Sequence, residues 1–310
     1  MIFLFLSSFI ISTISTVILK KFGDKYNLCD FPIDEKLKIH KKPIPFLGGL
    51  AIFLTFSLLL IIFSYLKNFF NWQILAIIFA GFLVFLIGFW DDLKWKKIGI
   101  KPEKKFLFLT LFSLLATFSL FFVDIKIQFF LNNFLTFVLT FIYIFALINA
   151  INYQDGIDGL AGGLVVISLI GFIVLALIFK NILALAISLI LIGAVLGFLI
   201  FNFPPAKIFL GDSGSYFLGF ILAVLAMIFS KPYNFFSFLG PVFIVGVSVF
   251  DGIFTNVRRL IQGKSIFLGD RAHFYDRLYL SAKFSILETL LICYSIQVIF
   301  TLIGILIFCL

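Results

Sequence analysis

Two aspartates stand side by side at Asp91 and Asp92, directly after an apolar run over 71 to 90. Adjacent carboxylates repel, and a bound cation or a captured proton relieves the repulsion, so the pair suits divalent-metal coordination or proton abstraction. Solvated acids at a helix end are the plainer alternative. A second group is less ordinary: Asn149, Asn152 and Asp155 recur every three residues, which puts them near one side of a helix. Gly156 and Gly159 then free the backbone so that Asp158 can turn toward the same place. An Asn, Asp and Gly turn explains the glycines but not four amide and carboxylate side chains gathered at one point. A third segment, Gly211-Asp212-Ser213-Gly214-Ser215, reads as a hydroxyl-bearing turn at a helix start. There, backbone N–H groups favour phosphate and Asp212 would serve a metal; plain N-capping is the competing reading. Arg271, His273 and Arg277 in the last polar loop can bind anions, and the other histidine, His40, stands with Lys38 in a proline-stiffened basic loop.

These residues sit at the ends of long apolar stretches. Runs at about 2–19, 46–66, 71–90, 106–123, 134–150, 160–179, 181–201, 216–229, 235–254 and 284–309 predict ten membrane-spanning helices. The run at 216–229 is short enough to be tilted or to begin inside the preceding loop. The first run is expected to stay as an anchor, because no basic residue precedes it and no small-residue cleavage site follows it before Lys20 and Lys21. Counting loops alternately, one set (20–45, 91–105, 151–159, 202–215 and 255–283) holds 20 of the 24 Lys and Arg. By the positive-inside rule that set is cytoplasmic and both termini lie outside. Nearly all acids fall in the same set. The expected architecture is therefore an all-α, polytopic membrane protein, one domain over 1–310, with about ten transmembrane helices and a cytoplasmic-face active site.

Composition agrees and excludes other classes. With 63% hydrophobic and 13% charged residues, and a mean hydropathy of +1.21, the chain is no water-soluble globule. The net charge of +9 is mostly an orientation signal, so no nucleic-acid partner is expected. Three cysteines form neither a disulfide framework nor a zinc spacing; Cys293 and Cys309 lie roughly 24 Å apart along one predicted helix.

Taken in order, these motifs resemble those of the polyprenyl-phosphate N-acetylhexosamine-1-phosphate transferases. That superfamily includes the GlcNAc-1-phosphate transferases and the phospho-MurNAc-pentapeptide translocase. The similarity runs from Lys38 to Leu278, with five motifs in the expected order on one predicted face. It implies a ten- or eleven-helix enzyme of the cell (inner or plasma) membrane. Such an enzyme uses Mg²⁺, with Mn²⁺ as an alternative, to move a sugar 1-phosphate from a UDP-sugar to polyprenyl phosphate, releasing UMP; a homodimer is compatible with it. The resemblance implies catalytic carboxylates at Asp91, Asp92, Asp155 and Asp158. It implies metal ligands at Asp212 with Asn152 or Asp155, and substrate contacts at Lys38, His40, Lys105, Asn149, Asn202, Arg271 and His273. Either Asp91 or Asp92 serves as base or covalent nucleophile. Departures lie at both ends: two extra residues separate Pro32 from His40, Ser248 stands where a proline is common before Asp251, and the histidine-rich loop is reduced to His273-Phe274-Tyr275-Asp276. The last change leaves open which acetamido sugar is taken.

Two other classes compete. A secondary transporter uses ion sites near the bilayer midplane, whereas here the acids gather at one boundary. A CDP-alcohol phosphotransferase needs Asp-Gly-x-x-Ala-Arg, and Asp155-Gly156-Ile157-Asp158-Gly159 lacks the Ala-Arg.

Overall fold

In the computed structural model, residues 1–310 are described except 33–41, 68–70, 96–101, 129–131, 233 and 264–270. Helices dominate because an apolar segment in lipid has to satisfy its own backbone polar groups. They are α1 (Ile2–Tyr26), α2 (Gly48–Leu66), α3 (Trp72–Trp95), α4 (Pro102–Phe122), α5 (Asn133–Tyr153), α6 (Leu160–Ile178), α7 (Ile182–Asn202), α8 (Gly211–Phe229), α9 (Phe235–Ile244), α10 (Gly246–Ile261), the short α11 (Phe274–Asp276) and α12 (Ile286–Cys309). Among the described residues, nine helices are long and apolar enough to cross a membrane, and a tenth span results if α9 and α10 are taken together. The all-α, polytopic expectation holds.

Three boundaries differ from the hydropathy reading. Helix α3 continues five residues past the apolar run, so Asp91 and Asp92 lie on its last turns and not in a loop. Helix α8 starts at Gly211 and takes in the whole Gly211–Ser215 segment. The apolar run 235–254 is no straight span: α9 and α10 meet at Val245 with a bend of 89°.

Helix α8 is the axis of the bundle. Sixteen of its residues are buried, from Ser213 to Phe229, and Phe53, Phe56 and Phe217 close one side of it with edge-to-face ring contacts at 5.3 and 5.4 Å. Glycines let other helices reach its first turn: a Cβ at Gly88 of α3 would meet the Asp212 carbonyl oxygen at 2.6 Å, and a Cβ at Gly49 of α2 would strike the Gly214 backbone. Helix α1 lies along α7, where Ser8 and Ser12 donate to the carbonyls of Ile190 and Ala194 at 2.5 and 2.6 Å. A two-residue hairpin, β1 (Cys29–Asp30) with β2 (Ile44–Pro45), ties the first polar loop to the bundle. Beyond it the Phe209 N–H donates to Pro45, and the Gly48 and Gly49 N–H groups donate to Phe209 and Leu210.

Candidate active site

At the end of the bundle where α3, α5 and α7 finish and α4 and α8 begin, polar side chains from four helices converge. The Lys105 ammonium (α4) bridges Asp91 Oδ2 (α3) at 2.6 Å and Asp212 Oδ2 (α8) at 2.5 Å. Asn152 (α5) donates from Nδ2 to Asp212 Oδ1 at 2.8 Å and to Ser215 Oγ at 2.9 Å. The Tyr216 ring lies 5.7 Å beneath the Lys105 ammonium. Asp91 is buried, and its second oxygen, Oδ1, has no hydrogen-bond partner.

Asp92 behaves differently from its neighbour. Its two oxygens accept the N–H groups of Asp212 at 2.8 Å and Ser213 at 3.0 Å. A carboxylate from α3 thus caps the start of α8 and meets the positive end of its dipole. This corrects the expectation of a phosphate-binding turn at Gly211–Ser215: two of the N–H groups that would hold phosphate are already taken. Gly211 makes room at a φ of +75°, where a Cβ would also lie 2.7 Å from Asp92 Oδ2. Of the two acids, Asp91 keeps an oxygen free for chemistry.

The segment between α5 and α6 supplies the rest. Asp155 lies among the carboxylates; burial, followed by the charges of Asp212, Asp92 and Asp158, raises its carboxyl well above the ordinary carboxylate range. Asp158 Oδ2 accepts the Ala206 N–H at 2.8 Å, tying this segment to the α7–α8 connection. Asn202 spends its amide on backbone: Oδ1 accepts from Gly159 at 3.1 Å and Nδ2 donates to Ile208 at 2.9 Å. Asn149 turns Nδ2 back onto the Phe145 carbonyl of its own helix at 2.7 Å. Hence the structure brings Asp91, Asp92, Lys105, Asn152 and Asp212 into one hydrogen-bonded cluster, with Asp155 within electrostatic reach. Asn149 and Asn202 spend their amides on backbone, and Asp158 accepts a backbone N–H. Lys38 and His40 lie outside the described residues.

The same segment reaches a second, partly basic group. Gln154 Nε2 donates to Asp251 Oδ2 of α10 at 2.9 Å, and that carboxylate also holds His273 Nδ1 at 2.9 Å and, through Oδ1, the Phe274 N–H at 2.8 Å. A carboxylate facing Nδ1 puts the imidazole proton there. Arg271 Nη1 pairs with Asp276 at 3.1 Å and donates to the Gly156 carbonyl at 3.2 Å. Burial raises the Asp276 carboxyl, with the Arg271 charge opposing. His273 lies between Tyr153, at 5.2 Å, and Tyr275, whose ring is parallel at 5.6 Å. Asp251 and Gln154 were not among the expected site residues. An acid inside an apolar run is a costly placement, and that cost was the available signal for Asp251; nothing in the spacing pointed to Gln154.

Could the acidic end hold a divalent cation? Among the described residues no three His, Cys, Asp or Glu side chains form a ready-made cage. The donors are nonetheless hard oxygens, four carboxylates gather around the Lys105 ammonium among the described residues, and Asp91 Oδ1 is an orphaned buried acceptor. Those features fit a magnesium-type ion better than a softer metal.

Comparisons with known proteins give the family. A family model described as glycosyl transferase family 4 matches residues 74–230, from the start of α3 to the end of α8. The chain belongs to that family. The matched stretch carries every residue of the Asp91, Lys105 and Asp212 cluster and stops before Asp251 and His273. Family relatives include a probable undecaprenyl-phosphate N-acetylglucosaminyl 1-phosphate transferase of Bacillus subtilis, 35% identical over 93% of this chain and 80% of that protein. The undecaprenyl-phosphate alpha-N-acetylglucosaminyl 1-phosphate transferase of Thermotoga maritima is 32% identical over 95% and 87%. The phospho-N-acetylmuramoyl-pentapeptide-transferase of Dictyoglomus turgidum is 38% identical over 69% of each chain.

Proposed function

We propose that this family 4 protein transfers N-acetylglucosamine 1-phosphate from UDP-GlcNAc to undecaprenyl phosphate at the cytoplasmic face of the cell membrane, releasing UMP. The observation that carries the reading is the junction at which Lys105 joins Asp91 and Asp212 beside Asn152, built from four helices at one end of the bundle. The two full-length relatives named for N-acetylglucosaminyl 1-phosphate transfer support the choice of sugar, because their similarity covers the His273 segment as well as the core.

The reaction joins two anions, so charge neutralisation and positioning dominate the barrier. Asp212 would hold Mg²⁺ with Asn152 or Asp155, and the bound ion supplies Lewis acidity and offsets diphosphate charge. Asp91 takes the proton of the lipid phosphate through its free oxygen. The lipid phosphate oxygen then forms a bond to the phosphorus that carries the sugar, and the bond to the bridging oxygen breaks, leaving with UMP. Asp92 keeps the Asp212 turn in place. Lys105 stabilises phosphate oxygens, while Arg271 and His273 hold the donor's diphosphate. A secondary transporter fits less well, since the acids gather at one end of the bundle, and the mid-bundle amide of Gln297 bonds to the Ser168 hydroxyl and the Ile244 carbonyl.

Purified protein with Mg²⁺, undecaprenyl phosphate and a panel of UDP-sugars is expected to release UMP, with UDP-GlcNAc as the best donor. UDP-GalNAc as the better donor would move the sugar assignment; no UMP from any donor would reject the reaction.

A further inference from the structure

The break between α9 and α10 sits beside a glutamine. Gln297 is near the middle of α12 (Ile286–Cys309) and is fully buried. Its Nε2 donates to the Ile244 carbonyl at 2.6 Å, and its Oε1 accepts the Val247 N–H at 3.0 Å. In an unbroken helix those two groups would bond to Ser248 and Phe243. One primary amide therefore serves two of the backbone groups that the bend takes out of the ladder, at a fully buried position. Thr301, one turn further along α12, adds a weaker donor to Ile244 at 3.3 Å. Gly304 and Gly240 let α12 and α9 approach until a Cβ at Gly304 would lie 2.6 Å from the Gly240 carbonyl. Helix α12 is thus a fixed rail against which the break is held.

What the break aims is Asp251. It lies five helical steps beyond Gly246 and so rides on a lever of roughly 7.5 Å. Relaxing the 89° bend by about 20° would displace it by roughly 2.5 Å, a shift comparable to the length of the bonds it makes to His273, Gln154 and Phe274.

We propose that Gln297 is a positioning residue: by holding the α9–α10 break, it delivers Asp251 to His273 and sets the grip on the donor diphosphate from the middle of the bundle. This rests on the reading of His273 as a donor-side group. Gln297 touches no substrate.

The test is Gln297→Leu, alone and combined with Asp251→Asn, in the full-length protein. The single variant is expected to raise KM for UDP-GlcNAc about tenfold while KM for undecaprenyl phosphate stays within about twofold. In the Asp251→Asn background it should add nothing further, because both changes act through one contact. Hydrogen exchange followed by mass spectrometry should accelerate at 246–255 and also at 273–276. Thr301→Val, which removes the weaker donor to Ile244 and the hydroxyl that accepts from Gln297 Nε2 at 3.1 Å, should give the same pattern at smaller amplitude, and it stands in if Gln297→Leu does not accumulate folded. Additive effects with Asp251→Asn, equal KM rises for both substrates, or unchanged exchange at 273–276 would each overturn the proposal. If the wild type releases no UMP, the functional reading fails by itself, and the exchange data still decide whether Gln297 controls the His273 segment.

Discussion

Replacing each member of the Asp91–Asp92 pair by asparagine should separate two jobs that look alike in the sequence. Asp92 accepts two N–H groups at 2.8 and 3.0 Å, but an asparagine amide offers only one oxygen, so one N–H at the head of α8 loses its partner. Losing a hydrogen bond to a charged group costs about 1.5–3 kcal/mol, and losing the negative charge at the helix start adds about 0.5 kcal/mol. Asp92→Asn should therefore lower the thermal midpoint by roughly 5 °C and reduce turnover, because the displaced turn carries Asp212. Asp91→Asn keeps an oxygen for Lys105, gives up the unpartnered Oδ1 and turns the Lys105 ion pair into a neutral hydrogen bond, while Lys105 keeps its pairing with Asp212. It should melt within about 1 °C of wild type yet lose 10²- to roughly 10⁴-fold in kcat, the usual loss for a general base. The assays are a thermal melt of detergent-solubilised protein and UMP release under saturating donor. An Asp92→Asn variant that melts like wild type but is inactive, beside an active Asp91→Asn, would reverse the two roles and refute the capping argument.

Chelation with excess EDTA should abolish UMP release and readdition of Mg²⁺ should restore it; undiminished turnover in EDTA would remove the metal from the scheme. Gly156→Ala drives a Cβ into the Tyr275 phenol, so KM for UDP-GlcNAc should rise about tenfold, and adding Tyr275→Phe should recover part of it. Wild-type donor affinity in Gly156→Ala would show that the two segments do not meet as described. Asp155, whose folded-state carboxyl is raised by burial and neighbouring charge, binds protons more readily folded than unfolded. It therefore favours the fold at low pH, and that contribution is lost as pH rises through the folded value. Without metal, melting should fall with rising pH more steeply in wild type than in Asp155→Asn, and identical slopes would contradict the burial of this acid among like charges.

Most of the fold was legible because lipid imposes a simple rule: a long apolar run becomes a helix, and the spans other than 216–229 and 235–254 follow it. The rule fails where a helix touches protein in place of lipid. Gly211, Asp212 and Ser213 look too polar to begin a span, yet the helix starts there because Asp92, 120 residues before Asp212, satisfies the N–H groups of Asp212 and Ser213. The break at Val245 is invisible to hydropathy for a similar reason. Pro241 and Gly246 hint at it, but the amide that makes it tolerable belongs to Gln297, which reads as one polar residue in an apolar helix. At the site, residue types and order brought Asp91, Lys105, Asn152 and Asp212 to attention. What they could not reveal was direction. Asn149 shares a helical side with Asn152 and still folds back onto Phe145, and Asp251 acquires its meaning only from His273, 22 residues later.

The glycines at 49 and 88 leave the aspartate-bearing turn of α8 clamped between two backbones with no side chain as cushion. Such a seat has no slack in which small changes can accumulate. Under the proposed function, diversification toward other sugars would fall on the rim formed by the 271–276 segment, which lies apart from that clamp although His273, Tyr275 and Asp276 are themselves buried. Within this architecture, new donor preferences are best sought by randomising that rim and leaving the hub untouched.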